Sequence, residues 1–144
     1  MSPPELPAAL TGHAGYLGVV MGQRSQQRFE VAMATLDLRP VHYDFLASLG
    51  ENGPLAQKDL AQLLEVDAAR IVALTDELQA RGLVDRSVDA RDRRRNLVSL
   101  TRAGRTLTAK AQRLSAAVEE DLLARLTVAE RAELRALLRK ALDL

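Results

Sequence analysis

The stretch from residue 54 to residue 104 constrains the fold most, because its apolar pattern changes once from helical to alternating. Residues 57–64 predict a short helix with Leu60, Leu63 and Leu64 on one face, and a second helix follows after a turn. Asp67 is placed to cap that second helix through its carboxylate, and Gly82 stands where a helix ends in a left-handed residue. Three apolar residues at helical spacing are expected to form its buried face: Ile71, Leu74 and Leu78.

The alternating pattern after Gly82 predicts a β-hairpin, which we call the wing, with a charged tip at residues 89–95. Leu83, Val84 and Arg86 belong to its first arm, and residues 96–100 form the second. Leu55 and Ala56 are expected to add a short strand against it. Two helices followed by a basic hairpin are typical of a winged helix-turn-helix, whose second helix has the size to enter the major groove of DNA.

Positive charge is concentrated in this part of the chain. Residues 81–105 contain eight arginines and three aspartates, a net charge of +5, whereas the whole chain carries only +1. The remainder is therefore acidic, at −4. A basic cluster beside a helix of recognition size predicts contact with duplex DNA.

Residues spread over the wing form a motif that identifies a family. They are Gly82-Leu83-Val84 at the start, Asp89, Asp92 and Arg94 at the tip, and Leu100-Thr101 with Gly104 at the end. With this motif the chain resembles the MarR family of bacterial transcription regulators over about residues 42–104. The resemblance implies a mostly α fold with a small β-hairpin wing, a winged helix-turn-helix with N- and C-terminal dimerisation helices. Some members sense oxidants through a cysteine, and this chain has none.

Three segments are predicted along the chain: 1–37 as an N-terminal helix of the dimerisation region, 38–104 as the DNA-binding domain and 105–144 as C-terminal dimerisation helices. A polar interruption at residues 22–28 is expected to weaken the first helix. Residues 41–49 predict a short, largely buried helix that ends in a turn at residues 50–54. Thr127 and Glu130 have the spacing of a capping box at the start of the last helix. The long apolar stripes of these helices exceed what so small a domain can cover, which favours a partner chain.

Side chains on the second helix and the wing are the expected DNA contacts. Arg70 is best placed for a guanine edge, and small residues beside it for thymine methyl groups. Arg94 is expected to enter or border the minor groove, so that Arg94→Ala should weaken DNA binding and leave a dimer intact. Thr75 is a further candidate phosphate contact. The predicted DNA-binding set is Gln57, Lys58, Ala69, Arg70, Ala73, Arg86, Arg91, Arg93, Arg94 and Arg95.

Three aspartates near the arginines are expected to brace the wing instead of facing phosphate. Asp76 is predicted to pair with Arg86, and Asp92 with Arg94 or Arg95; Asp89 has the same bracing role. The alternative for the whole tip is a solvated charged loop.

A ligand site is suggested by the resemblance alone, since family members bind small aromatic acids or phenolic compounds in a cleft beside the DNA-binding lobe. His13, Tyr16, His42 and Tyr43 fall in the segments that would line it, and core packing is the alternative for each. We predict no cofactor and no metal site. The chain has no nucleophile–base pair or phosphate-binding glycine loop, so we expect no catalytic residues and no enzyme.

The sequence thus predicts a homodimeric, DNA-binding repressor, released from a pseudo-palindromic operator by a small aromatic or phenolic ligand. The alternative is a winged-helix protein-interaction module that does not read DNA. The absence of a long apolar run argues against a membrane span and favours the cytoplasm, with the protein on the nucleoid when bound to DNA.

Overall fold

The computed structural model describes residues 6–93 and 95–144. Its fold is mostly helical with one small antiparallel sheet, as predicted. The elements are α1 (Ala8–Thr11), α2 (Ala14–Ala34), α3 (Pro40–Asn52), β1 (Leu55–Ala56), α4 (Gln57–Leu63), α5 (Ala68–Ala80), β2 (Val84–Val88), β3 (Asn96–Leu100), α6 (Arg102–Leu122) and α7 (Val128–Ala141). No helix of the described part is long and apolar enough to cross a membrane.

The chain forms two compact units whose limits differ from the three predicted segments, and those segment boundaries stay a prediction. One unit comprises Phe29–Ser115, and the other combines the chain before it with Ala116–Leu144. The unit of Phe29–Ser115 has an apolar core built mainly from α3, the two helices of the helix-turn-helix and the sheet, with Met33 from the end of α2. Its fully buried apolar side chains are Met33, Phe45, Leu46, Leu60, Ile71, Leu78, Val84 and Val98.

Both ends of α5 have the predicted caps. The Asp67 carboxylate accepts a hydrogen bond from the backbone N–H of Arg70 at 2.8 Å. At the other end Gly82 has a φ of 69°, and Leu83 donates its N–H to the Leu78 carbonyl at 3.0 Å, which completes a Schellman motif. The buried face of α5 is Ile71, Leu74 and Leu78, as the spacing predicted.

The sheet has the order β1-β3-β2, and both pairs are antiparallel. Val98 in the central strand lies opposite Leu55 on one side and Arg86 on the other. The short strand predicted at Leu55–Ala56 is therefore confirmed. Because β1 runs directly into α4, the sheet positions the first helix of the helix-turn-helix as well as the wing.

Three local predictions were wrong. The polar residues 22–28 do not interrupt α2, because most of them are exposed and a helix tolerates polar residues on its solvent side. Helix α3 continues through Gly50 and ends only at Asn52, before Gly53 with a φ of 75°. Leu63 does not share the buried face of α4, since a helix of two turns buries Leu60 and leaves Leu63 at its edge, 52% exposed.

The second unit contains α1, α7, and the parts of α2 and α6 that lie outside Phe29–Ser115. The predicted capping box is present, with the Thr127 N–H donating to the Glu130 carboxylate at 2.7 Å. Arg28 pairs with Asp121 at 2.6 Å. None of the described residues of this unit is buried. Its large exposed apolar side chains include Leu10, Leu17, Val19, Val128, Leu137, Leu138, Leu142 and Leu144.

Candidate nucleic-acid interface

The solvent face of α5 carries the residues expected to read base edges. Ala69, Arg70 and Ala73 are exposed, whereas Ile71 and Leu74 on the opposite side are buried. The cap formed by Asp67 uses the backbone N–H of Arg70 and leaves its guanidinium in solvent. This face carries one long hydrogen-bond donor between two small side chains, a combination that can contact base edges in a major groove.

Thr75 lies on the buried side of the same helix and does not face solvent. Its hydroxyl donates to the Ile71 carbonyl at 2.7 Å and accepts from the Gln57 amide at 3.1 Å, and the residue is 0% exposed. The expectation that Thr75 contacts phosphate is therefore wrong. Gln57 is half-buried and links α4 to α5 through this bond, while Lys58 beside it is exposed.

Arg86 connects β2, the first strand of the wing, to α5. One of its nitrogens donates to Asp76 Oδ1 at 2.6 Å, which is the pair expected from the sequence. A second nitrogen donates to the side-chain oxygen of Gln79. With two partners on α5, Arg86 fixes β2 against that helix.

The wing tip is closed by hydrogen bonds to its own backbone. The Asp89 carboxylate accepts from the Arg91 N–H at 2.8 Å, and the Asp89 N–H donates to the Arg95 carbonyl at 2.9 Å. The Arg95 N–H donates in turn to the Asp92 carbonyl at 2.9 Å. Asp89 thus braces the loop by accepting from a backbone N–H, as aspartate does in turns. The sequence had suggested a guanidinium partner instead.

The arginines of the tip differ in their surroundings. Arg95 donates to the Asp59 carboxylate of α4 at 2.8 Å, a pair that the sequence did not predict. Arg91 and Arg93 are exposed, and no ion pair joins either side chain to another residue of the ranges 6–93 and 95–144. Arg94, the predicted minor-groove residue, lies outside the described residues.

A polar cluster around the buried His42 joins α3 to α5, and sequence reasoning missed it. His42 is 2% exposed, and its Nδ1 accepts from the Arg39 N–H at 3.1 Å at the start of α3. Its Nε2 lies 3.1 Å from Glu77 Oε1, and Arg39 bonds the other Glu77 oxygen at 2.6 Å. Because Nδ1 accepts the Arg39 N–H, the ring is neutral, and Nε2 lies between Glu77 and an Arg39 guanidinium nitrogen 2.7 Å away. Burial lowers the pKa of His42, although the Glu77 carboxylate opposes this shift.

Because of His42, the folded state is expected to lose stability as the pH is lowered. The unfolded chain takes up the proton near the ordinary value of 6.5, whereas the folded ring resists it. The stabilisation is therefore fully present above pH 6.5 and is lost as the pH falls towards the lowered folded pKa. Urea unfolding from about pH 8 to about pH 5 should show this loss in the wild type and a smaller one in His42→Gln. His13→Gln, at the other histidine, which is exposed, is the control. If it reduced the pH-dependent loss of stability as much as His42→Gln does, the assignment of that loss to His42 would be contradicted.

The four residues predicted to line a ligand cleft have different environments. His13 is exposed and Tyr16 is half-buried on α2. Tyr43 packs edge-on against Phe29, with ring centroids 5.1 Å apart. Both ring nitrogens of His42 are hydrogen-bonded within the protein. A ligand role for the four stays a prediction. Among the described residues no group of three or more histidines and carboxylates could hold a metal ion.

Residues 36–95, which contain the helix-turn-helix and most of the wing, match the model of the MarR family. The transcriptional repressor NicR of Pseudomonas putida is 31% identical over 137 residues, which cover 95% of this chain and 87% of NicR. The chain belongs to the MarR family. The family consists of transcription regulators, which are not enzymes, and this chain is a regulator of that kind.

Solved structures of MarR-family proteins share the whole fold. A mutant MarR of E. coli complexed with operator DNA is 25% identical with a TM-score of 0.77, covering 96% of this chain and 99% of MarR. BpsR of Bordetella bronchiseptica, whose DNA binding is regulated by 6-hydroxynicotinic acid, is 27% identical with a TM-score of 0.78 and 99% coverage of both chains. The winged helix-turn-helix that the sequence predicted is confirmed.

Proposed function

We propose that this chain is a repressor that binds a pseudo-palindromic operator as a homodimer and is released by a small aromatic acid. The observation that carries the proposal is the exposed face of α5, with Arg70 between Ala69 and Ala73, beside a wing whose Arg91 and Arg93 are exposed. Such a surface offers base readout from the helix and phosphate contact from the wing. NicR, by name a transcriptional repressor, supports the same direction of control.

Dimerisation is supported by the unit that contains α1 and α7. None of its described residues is buried, and four of its leucines are at least 40% exposed: Leu10, Leu17, Leu137 and Leu142. Apolar side chains in this number without a core favour association with a second copy of the chain through a twofold axis. A twofold dimer would present its recognition helices to major grooves about 34 Å apart, one turn of DNA.

Release by a ligand is proposed from the relatives. The DNA binding of BpsR is regulated by 6-hydroxynicotinic acid, an aromatic acid. A ligand that prefers a dimer with the wrong spacing of recognition helices would lower the population able to bind DNA. Its effect is limited by its differential affinity for the two forms. As a regulator of bacterial type the protein would act in the cytoplasm, at the nucleoid, and would have no catalytic activity.

Selection of duplex DNA from a random pool tests the proposal, with Arg70→Ala selected in parallel. We expect an inverted repeat for the wild type. Arg70→Ala should relax one position of each half-site, at a loss of about 1–3 kcal/mol of discrimination there. Enrichment without an inverted repeat would contradict operator reading by a dimer. No duplex binding at any salt concentration would favour the protein-interaction module.

A further inference from the structure

Three hydrogen bonds hold Arg95 at the base of the wing tip. Its carbonyl accepts from Asp89 and its N–H donates to Asp92, so its backbone closes the loop on both sides. Its guanidinium crosses to α4 and donates to Asp59 at 2.8 Å. Asp59 lies in the first turn of that helix, 36 residues earlier in the chain.

We propose that Asp59 and Arg95 are a positioning pair that sets the wing tip against the first helix of the helix-turn-helix, and that Arg95 is not itself a phosphate contact. This inference rests on the proposed DNA-binding function. It assigns the phosphate contacts of the described tip to Arg91 and Arg93, and it gives Asp59 a role in operator affinity although the residue carries the same charge sign as DNA.

The geometry favours positioning because the wing is tied down at two levels. Arg86 holds β2 to α5, and Arg95, the residue just before β3, is bonded to Asp59 of α4. Two attachments to two helices restrict rotation of the hairpin about either one. In addition, a guanidinium already paired with a carboxylate gains less from a phosphate than a free one, because it must exchange one anionic partner for another.

The pair is suited to a mutational test because it contributes little to folding. Both side chains are about half exposed, at 48% and 47%, and ion pairs at such positions add little stability. Variants of either residue should therefore remain folded. Asp59 also lies near the positive end of the α4 dipole, so a variant that keeps the acid is needed as well as one that removes it.

Asp59→Asn separates the two possible roles of Arg95 by the sign of its effect. If the pair positions the wing, Asp59→Asn should weaken operator binding by about two- to fivefold. If Arg95 is a phosphate contact, the variant frees the guanidinium, so binding tightens and its salt dependence steepens. Asp85→Asn is the matched control, since Asp85 lies on β2, is exposed and has no ion pair with another described residue.

Arg95→Ala and Arg93→Ala, compared by the slope of log K against log salt, give the second test. Each lost phosphate contact lowers the slope by about 0.9, or about 1.8 for the two wings of a dimer. Arg93→Ala should show this loss and Arg95→Ala a clearly smaller one. The exchanged pair Asp59→Arg/Arg95→Asp should recover affinity lost in Arg95→Ala, and Asp59→Glu should behave as wild type. Equal slope losses, or tighter binding by Asp59→Asn than by Asp85→Asn, would overturn the proposal.

A measurement without DNA makes the inference independent of the proposed function. The chain has no cysteine, so a spin label on Ala90→Cys at the exposed tip reports the mobility of the wing alone. We expect faster motion of the label in Asp59→Asn and Arg95→Ala, and unchanged motion in Asp85→Asn. Unchanged mobility in all three would reject the positioning pair. Absence of duplex binding by the wild type, with increased mobility in the first two, would reject only the proposed function.

Discussion

Gly104→Ala is expected to destabilise the unit of Phe29–Ser115 by about 3 kcal/mol, at the upper end of the usual cost of overpacking. A Cβ at this position would lie 2.0 Å from the carbonyl oxygen of Leu83 and 3.0 Å from its carbonyl carbon. These are backbone atoms of the turn after α5, so no side-chain rotation relieves the clash. The turn is also held by Thr101, whose hydroxyl donates to the Gly82 carbonyl at 2.7 Å. Urea unfolding of the purified variant measures the loss.

Gly50→Ala is the matched control for this prediction. Gly50 is also helical, but a Cβ there would meet only Thr108 Cγ2 at 3.6 Å and Leu100 Cδ1 at 3.8 Å, which are ordinary contacts. The substitution should be neutral or should stabilise α3 by up to about 1 kcal/mol, because alanine is the better helix former. Equal stabilities of the two variants would show that the crossing of α6 over the turn is not tightly packed.

Removal of both exposed arginines of the wing tip is expected to have the largest effect on DNA binding. Arg91→Ala/Arg93→Ala removes four cations from a dimer, and each phosphate contact contributes about 0.9 to the salt dependence of log K. At physiological salt this corresponds to a loss of about 100-fold or more in operator affinity. Fluorescence anisotropy of labelled operator at several salt concentrations gives the affinity and the slope together.

The control must remove the same charge from another surface of the same unit. Lys110→Ala/Arg113→Ala does so, since both residues are exposed on α6. This variant should lose much less affinity. A loss below tenfold in Arg91→Ala/Arg93→Ala, or equal losses in the two double variants, would contradict the role of the wing tip.

Features that depend on neighbours in the chain were predictable from the sequence. The Asp67 cap joins residues three apart, and the Schellman end of α5 depends on Gly82 having a positive φ. The buried face of α5 follows from helical spacing, and the two strands of the wing follow from alternation. In each case a short hydrogen-bonding pattern or a fixed period determines the structure, and the sequence displays both directly.

Contacts between distant residues were predictable only in part. Asp76 and Arg86 are ten apart and meet because a sharp turn brings β2 back along α5. His42 with Glu77 and Asp59 with Arg95 are separated by more than thirty residues, and no period or motif selects those partners among the acids of the chain. Gly104 was recognised as part of a motif, but its physical reason, the approach of α6 to the backbone of Leu83, is visible only in the structure.

The direct junctions between strands and helices determine where this module tolerates a change in length. Strand β1 is followed at once by α4, and Thr101 alone separates β3 from α6, whereas residues 89–95 separate β2 from β3. One residue inserted at either of the first two junctions would turn the following helix by about 100° and move its buried face away from the core. An insertion within the wing tip lies between two strands, so it changes the reach of the hairpin and leaves the rotation of every helix unchanged. Evolution can therefore alter the reach of the protein along its DNA by lengthening or shortening that loop without repacking a helix.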